Sequence, residues 1–460
     1  MTIFGLSNLK GRWHSVGYGW ILEFNQDGYK LYDAIGPIYI LIEQGDLSDF
    51  LASYDRIEWH GSHDFNLHQR GDITRYHFQA IPENQDNIEI IQPGQSGDPQ
   101  FNFDILCEIF ARHYTFFSLR NIDWPQVCGQ YCREISPDFS QIELLEVFKH
   151  MLLPLNDGHV SLCSDIGNIT IRGHQELRQS LKKTFHMPTH YISPRSTIDS
   201  ISDQIPDIIL HPFSHDIKKV NTACNDIITW CQLGPDIGYL NILRLFGFAD
   251  SEQARNADDL PHDRQDIGPF LEQDIQALNS ALDGILEDFK SVKAVILDIR
   301  INGGGFDRAA MTIANRFADA KHLAFRKKAR AGNSFTEYQD FFITPEGPSQ
   351  FTRPVYMMTS PFCLSAGEIF VLCMNALPHV TSVGENSMGM LSDNLNKHLP
   401  NGWKLSLSNE IYEAPDGSVY EGDGIPPDIK IKTLDQNHFA KILQQALLET
   451  VKMVRCQCHA

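Results

Sequence analysis

Apolar and polar positions alternate with the two-residue period of a strand through residues 1–92, in short runs rich in Tyr, Ile, Phe and Trp. Tyr18-Gly19-Trp20-Ile21-Leu22-Glu23-Phe24 is one such run, and Asp27-Gly28 and Gly36-Pro37 interrupt the pattern as turns. This predicts a β-rich N-terminal domain over 1–92, a small barrel or sandwich. Between Asn84 and Gln100 the apolar content falls and Asn, Gln, Asp, Gly and Pro accumulate, the composition of a linker. From Phe103 the period turns helical, with Ile105, Leu106, Ile109 and Phe110 and then Tyr114, Phe116 and Phe117, and a second helix is predicted over Gln141 to Leu152. A helical segment over 93–165 follows from these spacings. Residues 166–235 are irregular, with Lys182, Lys183 and several prolines.

Past Asp236 strand-length apolar runs alternate with helical stretches: Ile237 to Leu243, a helix over Leu271 to Lys290, Ala294 to Ile299, a helix after Gly303 to Gly305, Pro354 to Thr359, a helix from Ala366 to Leu377, Val380 to Gly384, and a closing helix around Phe439 to Val451. That rhythm predicts an α/β core over 236–460, with helices packed on a sheet.

Composition narrows the picture. In 460 residues, 42% hydrophobic and 21% charged, there is material for a large interior and for two or three domains at about 150 residues each. With 38 Lys and Arg against 58 Asp and Glu the net charge is −20, which repels phosphate backbones and anionic lipid and speaks against nucleic acid as a partner. Met1 to Ser15 lacks a basic start followed by an apolar run, and no stretch approaches the roughly 18 consecutive apolar residues of a membrane span, so a cytoplasmic protein without a membrane span is expected. Ten scattered cysteines without a CxxC pair point to reduced thiols. Cys456-Gln457-Cys458-His459 reads as a frayed end rather than a metal grip, and no metal or cofactor is implied.

Four segments carry candidate chemistry. In Pro354-Val355-Tyr356-Met357-Met358-Thr359-Ser360-Pro361-Phe362-Cys363-Leu364-Ser365-Ala366-Gly367-Glu368 a strand runs into a turn and Ser365 opens a helix, where unsatisfied N–H groups could stabilise an oxyanion; a plain helix cap is the competing reading. Asp298-Ile299-Arg300-Ile301-Asn302-Gly303-Gly304-Gly305 is a glycine turn after a buried strand that can bring backbone close to a ligand; it lacks the Gly-Lys-Ser/Thr of a P-loop and the spacing of a dinucleotide site. Leu155-Asn156-Asp157-Gly158-His159-Val160-Ser161 offers an imidazole in a turn, suited to general base chemistry or simply exposed. Tyr420-Glu421-Gly422-Asp423-Gly424-Ile425-Pro426-Pro427-Asp428-Ile429 is a tight turn with a carboxylate that could orient an imidazole or solvate a loop.

In this order the four segments resemble the tail-specific, or C-terminal processing, serine peptidases, and within them the branch of the tricorn core, over Phe103 to Ile431. The resemblance implies a crotonase-like α/β spiral, a peptide or protein substrate and an acyl-enzyme mechanism without a cofactor. Carried over by position, it implies Ser365 as nucleophile, His159 as base and Glu421 as the carboxylate completing the charge network. It also implies an oxyanion hole of Ala366 N–H and an N–H of Gly303 or Gly304. Two features depart from the family. Val383-Gly384-Glu385-Asn386-Ser387-Met388-Gly389-Met390 contains no lysine, and Met390 stands where a Ser-Lys pair would have it. Between Leu162 and Asp236 no glycine-loop signature of a PDZ insert is present. Two other readings share the fold: a non-catalytic ligand-binding module like the retinoid-binding proteins of the eye, which has no need of the Ser, His and Glu set, and a crotonase-type acyl-CoA enzyme, which gains nothing from a serine opening the helix.

Overall fold

The alternating N-terminal stretch forms β1 (Gly11–Ser15), β2 (Trp20–Phe24), β3 (Tyr29–Ile35), β4 (Ile38–Gly45), helix α1 (Leu47–Ser53), β5 (Tyr54–Trp59), β6 (Asp64–Gln69), β7 (Arg75–Ala80) and β8 (Glu89–Ile91). The computed structural model describes residues 9–82, 88–170, 204–250, 264–435 and 437–458; part of the expected linker, much of the irregular stretch over 166–235 and His459 lie outside these residues. The eight strands make one sheet in the order β5-β6-β7-β1-β2-β3-β4-β8, antiparallel but for the last pair. An open sheet thus stands where a small barrel or sandwich was expected. The reason is its cover. Trp13, Leu22, Leu31, Phe65 and Phe78 of the sheet share one apolar core with Phe103, Leu106 and Phe110 of α2 (Pro99–His113) and Phe148 of α4 (Gln141–Leu152), so helices supply the second layer. Between them lies α3 (Trp124–Tyr131). Local signals start each helix: Asp98 accepts from Phe101 N–H with Pro99 at the first helical position, Asp123 accepts from Gln126 N–H, and Ser140 and Glu143 close a capping box.

The chain divides into two compact units. One holds the described residues of Met1–Gly173 with Lys327–Gln339 and Ser392–Ile411; the other holds those of His174–Arg326, Asp340–Leu391 and Tyr412–Ala460. The expected boundary at 92 falls inside the first unit, because sheet and helices share a core. The first unit also contains a four-stranded sheet, β10-β9-β21-β20, made of β9 (Ser161–Cys163), β10 (Asn168–Thr170), β20 (Asn394–His398) and β21 (Lys404–Ser408). Chain crossings between units fall inside β15 (His322–Ala331), β17 (Gln339–Ile343) and β22 (Glu410–Glu413), with β16 (Ser334–Phe335) between the first two.

In the second unit a seven-stranded sheet runs β11 (Val220–Ala223), β12 (Ile228–Gln232), β13 (Ile237–Ile242), β14 (Ala294–Asp298), β18 (Val355–Thr359), β19 (Val380–Gly384) and β23 (Ile429–Lys430), parallel from β13 onward. Every residue of β13, β14 and β18 is buried, which is why they read as continuous apolar runs rather than alternations. The helices are α5 (Ile205–Leu210), α6 (Arg264–Asp288), α7 (Asp307–Asn315), α8 (Ala366–Asn375) and α9 (Phe439–Cys458). Leu443, Leu447 and Val451 of α9 pack with Tyr239, Ile296, Met358 and Val383 of the sheet. The α/β rhythm expected after Asp236 is present, and the glycine run and the Ser365 turn sit at the carboxyl ends of β14 and β18, where open α/β sheets place ligands. Among the described residues no helix is long and apolar enough to cross a membrane.

Candidate active site

Strand β18 ends at Thr359, and the chain turns through Ser360 to Leu364 before α8 begins at Ala366. Ser365, at the head of that helix, has φ 55° and ψ −129°. A serine with positive φ lies outside the regions that L residues favour, at a cost of about 1–3 kcal/mol that the surroundings must offset. They do so with backbone pairing: Ser365 N–H donates to Met390 O at 3.1 Å and Leu364 N–H to Asn302 O at 3.2 Å, while Cys363 O accepts from Met388 N–H at 2.9 Å. Ala366 N–H, the first amide of the helix, meets no protein acceptor among the described residues.

Beneath the turn lies Glu368, fully buried, which the motif reading left without a role. Its Oε1 accepts from Ser387 Oγ at 2.6 Å and Gly389 N–H at 2.7 Å; its Oε2 accepts from Met390 N–H at 2.7 Å and Ser365 N–H at 3.3 Å. Burial pushes its carboxyl up to about 7, against the pull of these four donors. Glu368 therefore ties the segment 387–390 to the serine turn. The sequence signal was there: an acid three residues into an otherwise apolar helix.

The glycine run meets the same turn. Gly304 has φ 76°, and a Cβ there would stand 2.8 Å from both Leu364 O and Ser365 Cβ and 3.3 Å from Ala366 N. Only glycine permits that approach. Gly303 N–H donates to Leu243 O at 3.0 Å and Gly304 N–H to Asn302 Oδ1 at 3.0 Å. Asn302 is buried and its Nδ2 donates to Ile242 O at 3.0 Å, while Gly367 on α8 lacks the Cβ that would sit 2.8 Å from Asn302 Oδ1. The polar residues ahead of the glycines are scaffold. Arg300 forks onto Asp298 at 2.6 and 2.9 Å and donates to Leu443 O at 2.8 Å, fixing β14 to α9, and Tyr239 donates to Asp298 at 2.8 Å.

Glu421 is buried and its Oε2 accepts from Leu391 N–H at 2.7 Å, the residue after Met390. Ser365, Ala366, Gly304 and Met390 are thus held together in the second unit, with Glu421 anchored beside the Met390 segment. His159 belongs to the first unit. It is buried, its N–H donates to Asp157 Oδ1 at 2.9 Å and its carbonyl accepts from Ser406 Oγ at 2.9 Å on β21. Asp157, fully buried, also accepts from Ser408 Oγ at 3.1 Å and from Tyr114 Oη at 3.0 Å. Sequence reasoning took Asp157 only as part of a turn, and its buried carboxylate is what shapes the loop. A cavity of about 860 Å³ in the first unit, lined by His14, Trp20, Tyr39, Arg112 and His113 among others, includes none of these residues. Among the described residues no group of three His, Cys, Asp or Glu could hold a metal ion.

Residues 266–431 match the sequence profile of Peptidase family S41. The carboxy-terminal processing protease CtpA of Bacillus subtilis (strain 168) is 25% identical over 169 residues, 37% of this chain and 34% of that protein. The chain matches about a third of the length of the curated relatives it resembles. A crystal structure of a peptidase from Parabacteroides merdae ATCC 43184 superposes with a TM-score of 0.57 at 22% identity, covering 78% of this chain and 97% of the other. Mature CPAF complexed with lactacystin gives a TM-score of 0.51 at 11% identity, covering 78% and 98%. Over residues 266–431 the chain thus resembles Peptidase family S41 in sequence, and it shares its fold with the Parabacteroides merdae and CPAF structures.

Proposed function

We propose that this chain is a serine peptidase that hydrolyses peptide bonds through an acyl-enzyme at Ser365. The observation that carries the reading is the strained backbone of Ser365 at the head of α8, with Gly304 in contact behind it, since a side chain held off the ordinary cap conformation beside an unengaged amide suits a nucleophile better than a cap. The Peptidase family S41 profile over 266–431 supports it, and the name of the Bacillus subtilis relative points to polypeptide substrates. We read the parallel sheet and its helices as a crotonase-like spiral.

In this reading His159 takes the hydroxyl proton of Ser365 as its oxygen attacks the substrate carbonyl, and Glu421 holds the imidazole in the useful tautomer. The tetrahedral oxyanion lies on Ala366 N–H and on Gly304 N–H, which it shares with Asn302 Oδ1; Gly304 is preferred to Gly303 because it is the glycine in contact with Ser365. His159 then returns the proton to the departing amine, and a water activated by the same imidazole frees the acid and regenerates Ser365. No cofactor enters any step.

A fluorophosphonate probe followed by peptide mapping tests the assignment. A single adduct on Ser365, absent in Ser365→Ala, supports it; an adduct on another serine, or none on folded protein that cleaves peptides, overturns it.

A further inference from the structure

Cys107 stands about twenty residues before Cys128 and Cys132 in a sequence without a CxxC pair, yet α2 and α3 bring the three into one cluster in the first unit. The register between the two helices is fixed at three levels. The rings of Phe110 and Trp124 meet at a tilt of 37° with centroids 4.9 Å apart, Trp124 Nε1–H donates to Cys107 O at 2.9 Å, and seven residues earlier on α2 Gln100 Nε2 reaches Cys132 Sγ at 3.9 Å. An antiparallel register that sets 110 beside 124 and 100 beside 132 sets 107 beside 128. Both are free thiols and half-buried, and Cys132, one turn beyond Cys128, is exposed.

We propose that Cys107 and Cys128 are an oxidation site that closes to a disulfide between α2 and α3 when hydrogen peroxide reaches it. The neighbouring Cys128, and then burial, push the Cys107 thiol up, and the first attack is assigned to Cys128, which lies one turn from the exposed Cys132. Its sulfur takes one peroxide oxygen as the O–O bond breaks, giving a sulfenic acid and one molecule of water. The Cys107 sulfur then attacks Cys128 sulfur; the S–O bond breaks, the S–S bond forms, and the hydroxyl leaves with the Cys107 proton as water. Two thiols are oxidised by two electrons and the peroxide is reduced to two waters.

The site bears on more than two helices. The residue after α2 is Tyr114, whose hydroxyl donates to Asp157, and Asp157 holds the His159 N–H. A covalent tie on α2 therefore acts on the element that positions the histidine turn.

The experiment treats the native full-length chain with hydrogen peroxide, alkylates the remaining thiols with iodoacetamide and maps unreduced peptides by mass spectrometry, with and without dithiothreitol. The expected product is a Cys107–Cys128 cross-link that dithiothreitol reverses, with Cys132 still alkylated. Cys107→Ser should abolish it and leave a Cys128 sulfenic acid captured by dimedone; Cys132→Ser should form it unchanged. Full alkylation of Cys107 and Cys128 after peroxide, a cross-link only after denaturation, or one through Cys132 overturns the proposal. The rate of fluorophosphonate labelling of oxidised protein is a second readout that rests on the peptidase reading, whereas the thiol map does not.

Discussion

Two helices, one in each unit, begin with the same pattern: Ser140-Gln141-Ile142-Glu143 opens α4, and Ser365-Ala366-Gly367-Glu368 opens α8. In both the glutamate accepts the serine N–H, but the serine backbone and the burial of the acid differ. Ser140 is extended, with φ −68° and ψ 160°, and its Oγ accepts from Glu143 N–H at 3.3 Å, while Glu143 returns to Ser140 N–H at 2.8 Å. The Ser140 N–H, and then the Ser140 hydroxyl donating at 2.7 Å, hold the exposed Glu143 carboxyl below its usual range. Ser365 is left-handed in φ and its glutamate is buried, with a carboxyl raised to about 7. One serine completes a helix; the other is pressed out of a cap conformation by the segment 387–390 and the glycine turn. The pattern S-x-x-E marks where a helix starts, and only long-range contacts separate a cap from a candidate nucleophile.

The sharpest test of this contrast is to truncate each serine and measure kcat/KM on a peptide substrate. Ser365→Ala should lower the rate by on the order of 10⁶, the scale of removing a nucleophile from a catalytic set. Ser140→Ala should leave it within a factor of about two, because the hydroxyl of Ser140 is occupied with its own helix. Hydrolysis that survives in purified Ser365→Ala would make the two serines equivalent after all.

Next in size is a pair of glycines with like backbone and unlike surroundings. Gly304, at φ 76°, has no room for a methyl group, whereas Gly417, at φ 91°, has nothing within 4 Å of one. Alanine at either site carries a conformational cost of about 1–2 kcal/mol. At Gly304 the added Cβ also displaces Leu364 and Ser365, and a shift near 1 Å at a reacting group costs about 10² in rate. Gly304→Ala should therefore lose both stability and kcat, and Gly417→Ala stability alone. Equal kcat in the two variants would separate the glycine turn from the chemistry.

How far the sequence foretells this site depends on the range of the forces involved. Strands β13, β14 and β18 and helix α8 were legible because burial on both faces leaves unbroken apolar runs, and α4 was legible from Gln141, whereas α2 begins at Pro99 inside the stretch whose composition read as linker. The four motifs could be ordered by resemblance. What remained illegible was set by contacts far apart in sequence. Glu368 gathers Ser387, Gly389 and Met390 from about twenty residues on, and Asp157 gathers Tyr114 and Ser408 from opposite directions. Likewise the N-terminal strands carry no mark that helices 99–113 and 141–152 will cover them, so alternation alone suggested a barrel or sandwich.

The two glutamates give the third test, by the sign of their pH response. Glu368 has a folded-state value raised to about 7 from 4.5, so between those limits the folded chain binds a proton that the unfolded chain has lost, and stability falls as pH rises. The loss is on the order of 3 kcal/mol across the window. Glu143 is lowered, so its contribution is present above its ordinary value and fades as pH falls through the folded one. Denaturant midpoints from about pH 3 to 8 should show the gap between wild type and Glu368→Gln narrowing as pH rises above 4.5. Against Glu143→Gln the gap should change only at the acid end and with the opposite slope. A constant offset between wild type and Glu368→Gln would mean that the four donors cancel the effect of burial.

The smallest expected effect isolates the ordinary member of the pair. Removing the Ser140 hydroxyl leaves Glu143 N–H to water, and an exposed cap of this kind contributes about 1 kcal/mol. Because α4 packs Leu144, Phe148 and Met151 into the core of the first unit, that loss should appear as a lower denaturant midpoint with an unchanged slope. Ser140→Asp should restore it, since aspartate accepts the same N–H and its charge suits the helix start. At Ser365 the same aspartate should restore nothing in rate, because there the side chain is needed for its hydroxyl and the backbone is not that of a cap. If Ser140→Asp failed to recover stability while Ser140→Ala lost it, the serine of α4 would be more than a cap, and the contrast between the two helices would have to rest on backbone conformation alone.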